Sequence, residues 1–177
     1  DEFEPLLAPD GKRIVYLVGN SKLVSANIDE TGELSKTVTL LDGWAKPSGL
    51  SWSPDSKWLA YEQDDLNYNS EIFVHSVDNG QSPVNVSMHP GYDGNPRWSP
   101  DGSKLGFISE RNNGDGDVWF AWLKKSDWEK SDEQWERERA QKDDKKKEKK
   151  EAGNKKSDKE GESGDEVERL GTITLLR

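Results

Sequence analysis

Trp98-Ser99-Pro100-Asp101-Gly102-Ser103-Lys104-Leu105-Gly106-Phe107 reads as a tight turn running into an apolar strand, and the sequence carries it three times. The second copy is Trp52-Ser53-Pro54-Asp55-Ser56-Lys57-Trp58-Leu59-Ala60-Tyr61. The first is Leu7-Ala8-Pro9-Asp10-Gly11-Lys12-Arg13-Ile14-Val15-Tyr16. Pro9, Pro54 and Pro100 preset φ at about −65° for the first corner, and Asp10, Asp55 and Asp101, each followed by Gly or Ser, complete the turn. The Pro-Asp pairs begin at 9, 54 and 100, a period of 45 and then 46 residues. Repeats of roughly 40–50 residues made of short strands point to propeller blades.

Outward from each turn the pattern alternates or runs apolar: 14–18, 58–61 and 105–108 read as strands. Third strands follow at 22–28, 71–77 and 117–123, and fourth strands at 36–41 and 83–87. No helical periodicity precedes residue 124. The expected fold is therefore all-β, a partial β-propeller of about three four-stranded antiparallel blades over 1–43, 44–89 and 90–123. Residues 124–169 form a charged insertion, partly helical and partly disordered. Residues 170–177 form a returning strand that completes the third blade, because Gly171-Thr172-Ile173-Thr174-Leu175-Leu176 resembles Lys36-Thr37-Val38-Thr39-Leu40-Leu41. A linker into a new domain is the other reading of 124–169.

Composition divides along the same line. Residues 124–169 hold 15 basic and 16 acidic side chains, while the other 131 residues hold 10 basic and 19 acidic ones and six of the eight Trp. An acidic body argues against binding a phosphate backbone, which needs clustered Lys and Arg. No apolar run reaches the ~18–20 residues that span a bilayer, and residues 1–20 lack a signal-peptide pattern. With no Cys, disulfides, thiolate metal sites and thiol nucleophiles are excluded. The first residue is not Met and Arg177 directly follows an apolar run, so the sequence is expected to be part of a longer chain.

Within the insertion, Ser126-Asp127-Trp128-Glu129 has the form of a capping box and predicts a helix start. Glu133–Arg137, Glu138–Lys142 and Asp143–Lys147 place acid four residues before base, the favourable order on a helix. Trp128 and Trp135, seven apart, would share a face that either pins the helix to the blade edge or stays partly exposed. From 142 to 166 the chain is too polar to order itself and reads as a solvated spacer.

The decapeptide Trp98–Phe107, with Asp117-Val118-Trp119-Phe120 after it, resembles the WD-type β-propeller repeat of TolB-like proteins and tricorn-protease-like enzymes. The resemblance covers 7–123, with 171–176 as an extension. Trp122-Leu123, then Asp127-Trp128-Glu129 and a long charged insertion, resembles the propeller region of bacterial tricorn homologues. That family implies a large serine peptidase whose propellers guide peptides toward a separate catalytic domain. No part of the sequence matches that catalytic domain, so no catalytic residue carries over. The expected role is a non-catalytic propeller fragment serving substrate access or as a scaffold. The alternatives are a TolB-like protein-binding propeller with no enzyme attached, or the propeller of a prolyl-oligopeptidase-like hydrolase. Expected partners are peptide or protein ligands, the remaining propeller and catalytic domains of the parent chain, and a second copy. Family analogy implies a periplasmic or secreted location, with the cytoplasm as the alternative.

The residues themselves offer little reactive chemistry. No Gly-x-Ser-x-Gly elbow occurs, and the only imidazoles are His75, in a strand, and His89, in a loop before Pro90. Neither has the partners of a catalytic base or of a two-His metal site. Asn113, Asp115 and Asp117 begin like a calcium loop, but Val118 stands where Gly is needed and Lys124 where a bidentate Glu is needed. A turn rich in Asn, Asp and Gly is the plainer reading, as it is for Asp64, Asp65, Asn67 and Asn69. No cofactor is expected, since no phosphate-cradling motif occurs. Trp44 and Tyr92, in the loops 42–47 and 88–95 between blades, are the candidates for stacking on a ligand.

Overall fold

The computed structural model describes residues 2–154, and for 146–154 the backbone only. Three antiparallel meander sheets follow one another along the chain. The first holds β1 (Glu2–Leu7), β2 (Arg13–Val18), β3 (Lys22–Ile28) and β4 (Leu34–Asp42). The second holds β5 (Ser48–Trp52), β6 (Trp58–Asp64), β7 (Ser70–Ser76) and β8 (Val84–Asn85). The third holds β9 (Asp93–Trp98), β10 (Lys104–Asn112) and β11 (Asp115–Trp122). Two helices follow, α1 (Lys125–Trp128) and α2 (Asp132–Asn154). In each sheet sequential neighbours pair in order, so every sheet is one propeller blade.

Each repeated turn folds the same way. The amides of Ala8, Ser53 and Ser99 donate to the carbonyls of Arg13, Trp58 and Lys104. Those of Gly11, Ser56 and Gly102 donate back to Ala8, Ser53 and Ser99. Gly11, Ser56 and Gly102 all have positive φ, at 68°, 58° and 65°, which is why the position holds Gly or a small polar residue. The aspartates act inside the turns: Asp10, Asp55 and Asp101 accept the amides of Lys12, Lys57 and Ser103 at 2.9, 3.2 and 3.1 Å.

The repeat tryptophans join the blades. Trp52 is buried and donates its indole N–H to the carbonyl of Leu6 in the preceding blade at 3.1 Å. Trp98 does the same to Ser51 at 3.0 Å. One core packs Val15, Leu17 and Leu23 of the first blade against Trp52, Leu59 and Tyr61 of the second. The other packs Ala60, Ile72 and Val74 against Leu105, Phe107 and Leu123 of the third. Burying such side chains is worth about 1.5–3 kcal/mol each.

Several expectations change. The strand expected at 83–87 is a ladder strand only at Val84 and Asn85; Pro83 before it cannot donate to a ladder, and Val86 and Ser87 after it keep single bonds to Ile72. The capping box at 126–129 does not form: Lys124 occupies the cap position of α1 and makes no side-chain cap bond. The working box lies five residues on. Ser131 accepts the Gln134 amide at 3.4 Å and Gln134 accepts the Ser131 amide at 2.8 Å, opening α2. Trp128 and Trp135 therefore sit on different helices. α2 continues to Asn154, through the first part of the stretch 142–166 expected to lack order. Its Lys, Glu, Gln and Ala are strong helix formers, which overrides the absence of an apolar face. Glu133 pairs with Arg137 at 3.7 Å as expected, but Glu138 turns to Lys130 at 2.8 Å. The returning strand at 170–177 lies outside the described residues.

Candidate functional site

The connections β6–β7 (65–69) and β8–β9 (86–92) and the adjoining ends of β5 and β6 enclose a groove of about 380 Å³. Ser48, Glu62, Asp64, Tyr68, Asn69 and Tyr92 line it. Trp44 stands at its margin, in edge-to-face contact with Tyr68 at 5.6 Å between ring centroids. Both rings are largely exposed, 56% for Trp44 and 79% for Tyr68.

Local hydrogen bonding sets each wall. The Asp65 carboxylate accepts the amides of Asn67 at 2.7 Å and Asn69 at 3.0 Å, and those bonds hold it below the usual carboxylate range. Tyr68 is thereby fixed at the loop tip in the left-handed region, φ 60°. Residues 65–69 thus form a turn held by Asp65, in line with the plainer reading of this stretch. Gln63 ties the neighbouring loop by donating to the Ala45 carbonyl at 2.7 Å.

The third loop is held from beneath. Buried Glu71 accepts the Ser87 hydroxyl and the His89 amide. His89 Nδ1 in turn accepts the Gly91 amide at 3.1 Å, so this imidazole is part of the loop frame. Arg111 donates to Ser109 at 2.7 Å, to the Ser87 carbonyl at 3.2 Å and to fully buried Asp93 at 3.3 Å. Tyr92 and Glu62 then close over Gly94. A Cβ there would collide with the Tyr92 hydroxyl and lie 2.6 Å from Glu62 Oε2. Glu62 accepts the Ser48 hydroxyl at 2.8 Å and the Asn95 amide at 2.9 Å. Burial raises the Tyr92 phenol above its ordinary range, and the charges of Glu62 and Glu110 add to that.

Among the described residues, Glu62, Asp64 and Glu110 form no ion pair. Carboxylates beside exposed ring faces suit a peptide segment that brings amide donors or a cationic side chain.

The other sequence candidates fall elsewhere. Asn113 and Gly114, φ 56° and 82°, form the two-residue hairpin turn between β10 and β11. Asp117 accepts the Asn112 side chain there at 3.1 Å. His75 is buried in β7 against Tyr61, its Nε2 3.0 Å from Asn79, away from the groove. Trp44 and Tyr92 do reach the groove region. Tyr68 and Glu62 were not singled out: Tyr68 meets Trp44 only across the blade surface, and Glu62 lies inside a strand. Asp65 and Asn69, an acceptor and its donor bracketing Tyr68, were the available signal.

Repeat, meander sheets and inter-blade loops together define a partial β-propeller. Known proteins agree on the fold. The chain superposes on TolB from Acinetobacter baumannii with a TM-score of 0.50 at 23% identity, over 71% of this chain and 30% of that one. On tricorn protease the TM-score is 0.55 at 15% identity, over 70% of this chain and 14% of that one. In sequence it is 31% identical to dipeptidyl-peptidase 5 of Porphyromonas gingivalis over 78 residues, 40% of this chain and 11% of that protein. It is 28% identical to a tricorn-like protease C-terminal subunit of Sulfurisphaera tokodaii over 108 residues, 60% of this chain and 12% of that protein. The chain thus spans about a tenth of the curated relatives it matches. No protein-family model matches it.

Proposed function

We propose that this chain is propeller blades from a larger peptidase, where they admit or hold peptide segments and do no bond cleavage themselves. The observation that carries the reading is the groove of Trp44, Tyr68, Glu62 and Tyr92, built by loops that the blade cores hold in place. Support comes from the two sequence relatives, both peptidases by name. The partners are then extended peptides and the remaining domains of the parent chain. Its place is the periplasm or the outside of the cell. Among the described residues no helix is long and apolar enough to cross a membrane.

Titrating an unstructured lysine-containing decapeptide into the 177-residue chain tests this through tryptophan fluorescence. Saturable quenching is expected, weakened about tenfold in a Trp44→Ala/Tyr92→Ala double variant, with the peptide left intact. Binding indifferent to both substitutions overturns the groove assignment. Hydrolysis abolished by a substitution within 1–177 overturns the non-catalytic role. A TolB-like binding propeller is the competing reading, and a parent gene without a peptidase region downstream would select it.

A further inference from the structure

A second hollow, of about 270 Å³, adjoins the groove. Leu40, Leu41, Trp44, Ala45, Gln63 and Asp64 are on its lining. Leu40 and Ala45 are buried, and Leu40 belongs to the core that joins the first two blades, with Leu41 packed against it. The apolar part of the lining is therefore fixed. The Gln63 bond to the Ala45 carbonyl, at 2.7 Å, holds the connection 43–47 against β6. Asp64 lines the groove as well as the hollow, so the two are contiguous at its carboxylate. Tyr68, on the groove, and Trp44, on the hollow, meet edge to face between them.

The neighbouring carboxylates are already engaged. Glu62 accepts the Ser48 hydroxyl and the Asn95 amide. Asp65 accepts the amides of Asn67 and Asn69, and Asp42 lies 3.6 Å from Lys22 Nζ. Asp64 is different: it is exposed, and among the described residues its carboxylate makes no hydrogen bond or ion pair.

The hollow is smaller than the ~300–1,000 Å³ of sites that take a whole small molecule, which suits it to one long side chain. Its apolar lining suits an aliphatic stem, its indole a cation on the ring face, and its unpaired carboxylate the charge itself. We propose that the hollow of Leu40, Trp44 and Asp64 is the subsite for an arginine side chain of the bound peptide, with Asp64 as its counterion. This rests on reading the groove as a peptide site, and it names the side chain that the site selects. Arginine fits better than lysine, because its planar guanidinium can both stack on an indole and meet a carboxylate through two N–H groups. The excess of acid over base in the blades favours the approach of such a segment.

Fluorescence anisotropy of dye-labelled decapeptides on the 177-residue chain tests this. The peptides are acetylated, share one Gly-Ser-Ala host sequence and carry arginine, citrulline or glycine at one central position. Citrulline keeps the shape of arginine and lacks its charge. Arginine is expected to bind about tenfold tighter than citrulline, and citrulline about threefold tighter than glycine. Asp64→Asn is expected to bring the arginine peptide down to about the citrulline value. An arginine peptide no tighter than citrulline, or a preference for arginine that survives Asp64→Asn, overturns the proposal. A citrulline peptide no tighter than glycine overturns it too, since the stem then gains nothing from the hollow. If all three bind alike and Trp44→Ala/Tyr92→Ala weakens them, the subsite falls and the groove stands. If none of the three binds saturably, the groove reading falls and takes the subsite with it.

Discussion

Gly94 lies where two side chains meet: the Tyr92 hydroxyl and Glu62 Oε2 already occupy the space a Cβ would take. Gly94→Ala is expected to cost about 1–3 kcal/mol by overpacking and to move Tyr92 out of the groove. Urea denaturation measures the first effect and tyrosine fluorescence the second. His75 carries a pH effect. Burial holds its imidazole below the ordinary 6.5, although Asn79 and Asp78 pull the other way. An unfolded chain therefore takes up this proton first as pH falls, so stability declines below about 6.5. His75→Phe is expected to flatten that decline in thermal melts between pH 6.5 and 5. Asp101 acts in a more acidic window. Burial raises its carboxyl, but hydrogen bonds from Ser99 and Ser103, with Lys104 nearby, outweigh this and bring it to about 2. Its contribution is complete above the unfolded value of 3.8 and is lost as pH falls through about 2. Asp101→Asn is expected to reduce the loss of stability between pH 4 and 2.

At the scale of elements, α2 meets the third blade through one aromatic stack. Trp135 lies on Trp122 of β11 at 4.9 Å, with Lys104 4.3 Å over Trp122 and Lys130 4.4 Å over Trp135. Trp135→Ala is expected to release the helix from the blade while leaving the propeller melt nearly unchanged. Loss of near-ultraviolet circular dichroism with far-ultraviolet signal retained would show it. Ser131→Ala removes the working cap and is expected to cost about 1 kcal/mol of helix stability. The strands were legible because Pro-Asp turns and alternation are local. The start of α2 was not, because Ser126-x-x-Glu129 and Ser131-x-x-Gln134 both satisfy the capping pattern and only packing of Trp135 chooses between them. The groove was half legible. Trp44 and Tyr92 follow from their loops, whereas Tyr68 and Glu62 join only once neighbouring connections are brought together.

At the scale of the molecule, the described residues form three blades, fewer than the four to eight of closed propellers. Leu7, at the position that Trp52 and Trp98 hold in later repeats, is 53% exposed. The isolated chain is therefore expected to associate with concentration, seen as a shifting elution volume in size-exclusion chromatography. A compact monomer that melts cooperatively would count against this. The indole bonds from Trp52 to Leu6 and from Trp98 to Ser51 both point from a later blade to an earlier one. By the same spacing, the Arg97 carbonyl holds the equivalent place in the third blade. Assembly thus has a polarity: each completed sheet presents the acceptor that receives its successor, so a ribosome emitting the chain delivers the units in the order in which they latch.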